Sequence, residues 1–240
     1  MAMFSVPRLY PILDTSCFSD SQSLFTAAEE LVAAGCTLLQ YRNKSGNARQ
    51  MLDQARELKR RVGNRVMLIM NDRADLCLAA DFDGLHVGQD DLSPEAARRI
   101  IVGGPSAAKA VEGRETVTAA LKRCATQNQS TQNQSAHTRW LGVSTHNPEQ
   151  LAIADKTSAD YLAIGPVFAT SSKANPDPVV GLAGVRRARE LTRKPLVAIG
   201  GITRTNARSV IDAGADAVAV ISDLIRDPRK SAEEFWLILR

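Results

Sequence analysis

Long hydrophobic runs are missing from this chain of 240 residues: none approaches the ~18 apolar residues of a membrane span. The opening Met1–Arg8 lacks the basic, apolar and cleavage regions of a secretory leader, so the expected location is cytoplasmic. Aromatic residues are scarce at 5%, too few for a base-stacking platform. Charge of one sign is not dominant either. Lys plus Arg number 30 against 26 Asp plus Glu, a net +4 with no basic stripe. That balance argues against nucleic acid as a partner and permits small anionic ligands. The four cysteines, Cys17, Cys36, Cys77 and Cys124, show neither CxxC nor Cys/His metal spacing. A disulfide scaffold is therefore not expected.

What the chain does have is rhythm. Eight short apolar runs alternate with amphipathic stretches: Leu9–Leu13, Thr37–Tyr41, Val66–Met70, Gly84–Val87, Trp140–Val143, Tyr161–Ile164, Leu196–Ile199 and Ala217–Ile221. Nearly continuous apolar runs suit parallel strands covered on both faces. Between them, Met51, Leu52, Ala55, Leu58 and Val62 step at helical spacing, and Asn206–Ala213 and Ala232–Leu239 behave alike. Ser93–Pro94–Glu95 and Asn147–Pro148–Glu149 each read as N-cap, N1 proline and first-turn acid. Gly35, Gly63 and Gly214 follow helical patterns where a left-handed cap is wanted. Eight β-then-α units in this length predict an α/β fold, one (β/α)8 TIM-barrel domain over residues 1–240. An open doubly wound sheet is the rival and usually has fewer strands.

One segment breaks the rhythm. From about 102 to 139 no strand pattern appears, and TQNQS at Thr126–Ser130 recurs at Thr131–Ser135. A tract of Gln, Asn, Ser and Thr cannot bury enough apolar surface to order itself. The segment reads as a polar insertion in the fourth βα unit with a mobile tip, preceded by a candidate helix at Glu112–Cys124.

Barrel active sites lie at the C-terminal strand ends, so the polar residues ending each run come first. Run two ends Gln40–Tyr41–Arg42–Asn43–Lys44. Strand alternation puts Gln40, Arg42 and Lys44 on one face, where two cations and an amide can receive an anion. Runs three and four end with Asn71–Asp72 and His86–Asp91. Asp72 and Asp91, from neighbouring strand ends, suit one hard cation such as Mg2+ shared with phosphate oxygens. The plainer readings are a helix cap for Asp72 and a turn for Asp90–Asp91. His86 reads as a packed strand residue. Run five ends Ser144–Thr145–His146. No third partner supports a nucleophilic triad, which leaves Ser144 as a phosphate donor. Run six is followed by Thr170, Ser171, Ser172 and Lys173 in a loop suited to a flap. Run seven ends at Gly200–Gly201, and run eight at Ile221–Ser222. Loops after strands seven and eight commonly cradle phosphate with backbone N–H groups. The result is two anion sites: Arg42, Lys44, Asp72 and Asp91 with a metal, and Thr170, Ser172, Gly201 and Ser222 without one.

QYRNK at Gln40–Lys44, ND at Asn71–Asp72, HVGQDD at His86–Asp91 and GVSTHN at Gly142–Asn147 belong to one series. IGPVFATSSK at Ile164–Lys173, AIGGIT at Ala198–Thr203 and VIS at Val220–Ser222 continue it. Seven segments in this order resemble the thiamine-phosphate synthase (thiamine-phosphate pyrophosphorylase) family over nearly the whole chain outside about 102–139. The resemblance implies a transferase joining hydroxymethylpyrimidine diphosphate to hydroxyethylthiazole phosphate, with thiamine monophosphate and pyrophosphate as products. It implies that Gln40, Tyr41, Arg42, Asn43, Lys44, Asn71, Ser144 and Lys173 meet the pyrimidine diphosphate. Among these, Arg42, Lys44, Ser144 and Lys173 would act on the leaving group. Thr170, Ser172, Gly201, Ile221 and Ser222 would hold the thiazole phosphate, and Asp72 and Asp91 one Mg2+. The implied partners are two small phosphorylated heterocycles, with neither nucleic acid nor membrane, and a homo-oligomer left open.

Two alternatives stand beside it. A thiazole tautomerase on the same barrel would use His146 as acid and base, but has no need of Gln40 and Asp91. A non-catalytic phosphometabolite-binding barrel should have lost cation or metal residues, and none is missing.

Overall fold

The computed structural model describes residues 6–102, 139–170 and 177–240. The eight apolar runs form parallel strands: β1 (Leu9–Asp14), β2 (Leu38–Arg42), β3 (Met67–Asn71), β4 (Gly84–Val87), β5 (Trp140–Thr145), β6 (Tyr161–Ile164), β7 (Leu196–Ile199) and β8 (Ala217–Val220). They pair in chain order and close, β8 against β1, into the expected α/β barrel. Helices α1 (Ser21–Ala33), α2 (Ala48–Val62), α3 (Ala74–Ala79), α4 (Pro94–Ile101), α5 (Pro148–Asp155), α6 (Gly181–Leu191), α7 (Ala207–Asp212) and α8 (Pro228–Ile238) lie between and after the strands.

Local chemistry sets the helix ends. Asp20 and Ser23 form a reciprocal capping box on α1. Ser93 and Asn147 cap α4 and α5, each with proline in the first turn, as the sequence predicts. Gly35 and Gly214 take the left-handed conformation expected after a helix, at φ 90° and 109°. Gly63 does not: it continues α2 at φ −64°, because its N–H still bonds the Lys59 carbonyl in helical register.

Strand alternation divides the core into two shells. Leu9, Leu13, Leu39, Leu68 and Met70 point outward and pack under the helices with Leu24, Leu58 and Phe235. Tyr10, Ile12, Leu38, Ile69, Tyr161 and Val197 fill the barrel itself. Ala163, Ala217 and Ala219 make room there for the two tyrosine rings, which meet edge to face at 6.1 Å. Large and small residues thus share one interior, as close packing of a closed barrel requires.

The expected insertion joins the end of α4 to the start of β5. The end of α4 and the start of β5 both lie at the N-terminal end of the strands, opposite the mouth. Its two flanks are stapled together: Arg98 Nη1 donates to the Arg139 carbonyl (2.7 Å) and Arg139 Nη1 to the Ile101 carbonyl (3.2 Å). The candidate helix at 112–124, Cys124 and the TQNQS repeat lie outside the described residues. Cys36 and Cys77 are buried thiols, each pushed up to about 12 by burial and so chemically quiet.

Candidate active site

Strand parity decides which residues of Gln40–Lys44 reach the mouth. Gln40 is buried inside the barrel and donates to the Tyr10 hydroxyl (2.9 Å). Arg42, one pleat higher, pairs with Asp14, its register partner across β1 and β2. Lys44 pairs with Asp72 at the end of β3. The side chains of the residues between them turn away from that face, as strand alternation predicts. Tyr41 packs edge-on against Phe82 under the helices and donates to Gln54 Oε1 of α2 (2.6 Å). Asn43 spends its carbonyl oxygen on the N–H groups of Ser45 (3.1 Å) and Gly46 (2.7 Å), and its amide nitrogen on Gln54 (3.1 Å). The pleat sends alternate side chains outward, so these two build the loop rather than line the mouth.

Asp72 sits where two neighbouring strand ends converge. Its backbone is left-handed at φ 62°, a conformation that short polar residues tolerate best. Such strain is of order 1–3 kcal/mol, and the Asp72 N–H bond to the His86 carbonyl (2.8 Å) helps hold it. The helix-cap reading fails: the residue that caps α3 is Arg73, without a side-chain bond. Burial raises the Asp72 carboxyl above the usual carboxylate range; the Asp91 carboxyl, within hydrogen-bonding reach, raises it further, and Lys44 works against both. Asp91 in turn accepts the Gly88 N–H (2.8 Å), which fixes it at the end of β4. Two facing carboxylates with a lysine beside them are repulsive alone and are a hard-oxygen pair for a cation. Among the described residues no group of three or more His, Cys, Asp or Glu is arranged for a metal.

Below the mouth runs a buried polar chain across the barrel. Gln40 reaches Tyr10, the Tyr10 and Tyr161 hydroxyls meet at 2.9 Å, Tyr161 meets His86 Nδ1 at 3.1 Å, and His86 Nε2 meets the Ser144 hydroxyl at 2.8 Å. With Gln40 donating, every hydroxyl hydrogen finds an acceptor when Tyr10 donates to Tyr161, Tyr161 to Nδ1, and Nε2–H to Ser144. This ordering leaves the Ser144 hydrogen for the mouth. Burial lowers His86 to about 4, so it is a neutral imidazole and a weak base. A Ser–His pair is present, then, but nothing activates it as a nucleophile. His86 is a packed strand residue, as the sequence suggests, and it is also the link that orients Ser144. The sequence reading missed Tyr10, Tyr161 and Asp14. Their signal was an inward-facing polar tip on an otherwise apolar strand. Gln89 completes the rim by donating to the Ser144 carbonyl (2.6 Å). His146, the tautomerase candidate, is tied to the Gly165 carbonyl (2.8 Å).

The other side of the mouth is built from loops. Gly201 is left-handed at φ 65°, and a β-carbon on it would fall 2.4 Å from the Ala169 carbonyl oxygen. The loop after β6, which carries Thr170, therefore lies directly on the Gly201 backbone. Ile221 packs against the barrel interior, and exposed Ser222 opens a 3-10 turn, Ser222–Leu224. Ser172 and Lys173 lie outside the described residues. The candidate residues thus form two arcs of one mouth, cations and carboxylates over β1 to β5 and a glycine–hydroxyl cradle over β6 to β8.

Fold and site together define a (β/α)8-barrel enzyme with paired carboxylates and cations at its C-terminal mouth. A family model described as thiamine monophosphate synthase matches residues 9–126 and 121–224. The chain is 56% identical over 237 residues to the thiamine-phosphate synthase of Koribacter versatilis, covering 98% of this chain and 96% of that one. It is 38% identical to the thiamine-phosphate synthase of Chloroflexus aurantiacus, covering 91% and 85%. A solved thiamine phosphate pyrophosphorylase from Pyrococcus furiosus superposes with a TM-score of 0.73 at 30% identity, over 97% and 95% of the two chains. The chain belongs to the thiamine-phosphate synthase family.

Proposed function

We propose that this enzyme condenses 4-amino-2-methyl-5-hydroxymethylpyrimidine diphosphate with 4-methyl-5-(2-hydroxyethyl)thiazole phosphate, and that the arc over β1 to β5 takes the diphosphate. The observation carrying this reading is the convergence of Lys44, Asp72 and Asp91 beside Arg42. The hard-oxygen donor pair fits one Mg2+, with diphosphate oxygens filling the remaining positions. Bound there, Mg2+ would draw charge from the departing diphosphate.

Arg42, Lys44, Asn71, Ser144 and Lys173 hold the diphosphate, and Gln40 meets the pyrimidine. Thr170, Ser172, Gly201, Ile221 and Ser222 hold the thiazole phosphate. The carbon–oxygen bond between the pyrimidine methylene and the diphosphate breaks, its electron pair leaving with pyrophosphate. The lone pair of the thiazole nitrogen forms the new carbon–nitrogen bond. Fixed cations meet charge that grows on the leaving group, so they lower the barrier more than they tighten ground-state binding. No protein nucleophile is needed, and positioning supplies much of the rest.

The setting is cytoplasmic, with small phosphorylated substrates and neither nucleic acid nor membrane as partner. Among the described residues no helix is long and apolar enough to cross a membrane. The test is incubation with both precursors, with and without Mg2+. Metal-dependent formation of thiamine phosphate and pyrophosphate in equal amounts supports the reading; pyrophosphate release without thiamine phosphate contradicts it.

A further inference from the structure

Arg204 stands three residues beyond Gly201, and Asp223 directly follows Ser222. The two side chains make a forked pair: Arg204 Nε to Asp223 Oδ2 at 3.0 Å and Nη2 to Oδ1 at 3.0 Å. The Arg204 backbone N–H also donates to Asp223 Oδ2, at 2.8 Å. Arg204 Nη1 pairs with Glu234 on α8, so its charge is spent inside the protein. On the other flank, Asn206 accepts the Thr203 N–H (2.8 Å) and donates to the Gly201 carbonyl (3.0 Å). The loop after β7 is therefore braced on both sides, and one brace is the loop after β8.

An exposed single-contact ion pair is worth little. This one differs in kind, because it is planar and bidentate, is joined by a backbone donor, and links two separate loops. We propose that Arg204 and Asp223 are positioning residues for the second substrate: their fork sets the spacing between the Gly201 backbone and the Ser222 backbone and hydroxyl, which together grip the thiazole phosphate. The inference rests on the assignment of that phosphate to Gly201 and Ser222. Neither residue touches the substrate. What they fix is the separation of two halves of a cradle, and a phosphate bound by short N–H bonds is sensitive to that separation.

Steady-state kinetics of Arg204→Lys and Asp223→Asn, with Ser222→Ala and Glu234→Gln alongside, test this. Arg204→Lys keeps the charge and loses the fork, so folding, followed by circular dichroism, should be retained. The expected result is a roughly tenfold rise in KM for thiazole phosphate in both fork variants, with KM for the pyrimidine diphosphate within about twofold of the parent. The inhibition constant of inorganic phosphate against thiazole phosphate should rise in parallel. The double variant should be no worse than either single one, since both break the same link. Glu234→Gln, which leaves the fork intact, should leave all constants unchanged. If Ser222→Ala raises the thiazole-phosphate KM and neither fork variant does, the positioning role is overturned while the phosphate assignment stands. If none of the three moves it, the phosphate assignment fails and takes the inference with it. Should Asp223→Asn not fold, Arg204→Lys alone decides between these outcomes.

Discussion

Tyr161 and His86 meet at 3.1 Å in space that exists because residue 142 is glycine: a β-carbon there would fall 2.4 Å from both the tyrosine oxygen and His86 Nδ1. Three strands thus cooperate to place one hydrogen bond in the middle of the barrel. Gly142→Ala should therefore push the pair apart and destabilise the fold by roughly 1–3 kcal/mol, the usual cost of overpacking. Tyr161→Phe should cost a similar ~1–3 kcal/mol by leaving the Tyr10 hydroxyl and His86 Nδ1 without their shared partner. Urea denaturation of each variant measures this. Unchanged midpoints would mean that the polar chain contributes no cohesion.

Burial also sets how His86 responds to acid. Its folded-state value, about 4, lies below the ordinary 6.5. The unfolded chain binds this proton more readily, so its contribution to stability is complete above 6.5 and is lost as pH falls towards 4, at up to about 1.4 kcal/mol per pH unit. Denaturation series between pH 7 and 4 should show this decline, and His86→Asn should flatten it. An equal slope in the variant would assign the acid sensitivity elsewhere.

Asp72 follows the opposite sign. Its carboxyl is raised, so the ionised form is disfavoured by the fold and stability is lost as pH rises through the folded-state value. Asparagine removes the charge and accepts φ 62° as readily as aspartate does. Asp72→Asn without added metal should therefore raise the melting temperature at pH 7. Turnover should fall by orders of magnitude. A variant both less stable and fully active would remove Asp72 from the site.

The sequence made the barrel legible because each strand is a nearly continuous apolar run and five of the eight described helices start on a side-chain cap, at Asp20, Asn47, Ser93, Asn147 and Asp227. It also marked both arcs, since polar residues ending a strand in this fold have one place to go. Tyr41 and Asn43 are neighbours of Gln40 and Arg42 in the motif, and the pleat alone separates their side chains from that face. Tyr10, Tyr161 and Asp14 were hidden in the sequence. A tyrosine or aspartate within an apolar run looks the same whether it faces a helix, a neighbour or a partner across the barrel. The link between Tyr10 and Tyr161 spans 151 positions in the chain and arises only from closure.

The insertion offers a direct check on the geometry of the fold. Its flanks are stapled by Arg98 and Arg139 at the end of the barrel opposite the mouth. Deleting Thr126–Ser135 should leave kcat and both KM values within about twofold of the parent, because the tract is polar and repetitive. A large loss of turnover would give the segment a role in catalysis.

The central claim is that Asp72 and Asp91 together hold the cation that draws the diphosphate away. Single-turnover pyrophosphate release, followed as Mg2+ is titrated against the parent enzyme and Asp91→Asn, tests it most directly. The account predicts that losing one carboxylate shifts the half-saturating Mg2+ concentration upward by at least about tenfold, as removing one of two protein ligands implies. A titration curve in Asp91→Asn that overlays the parent's would contradict it.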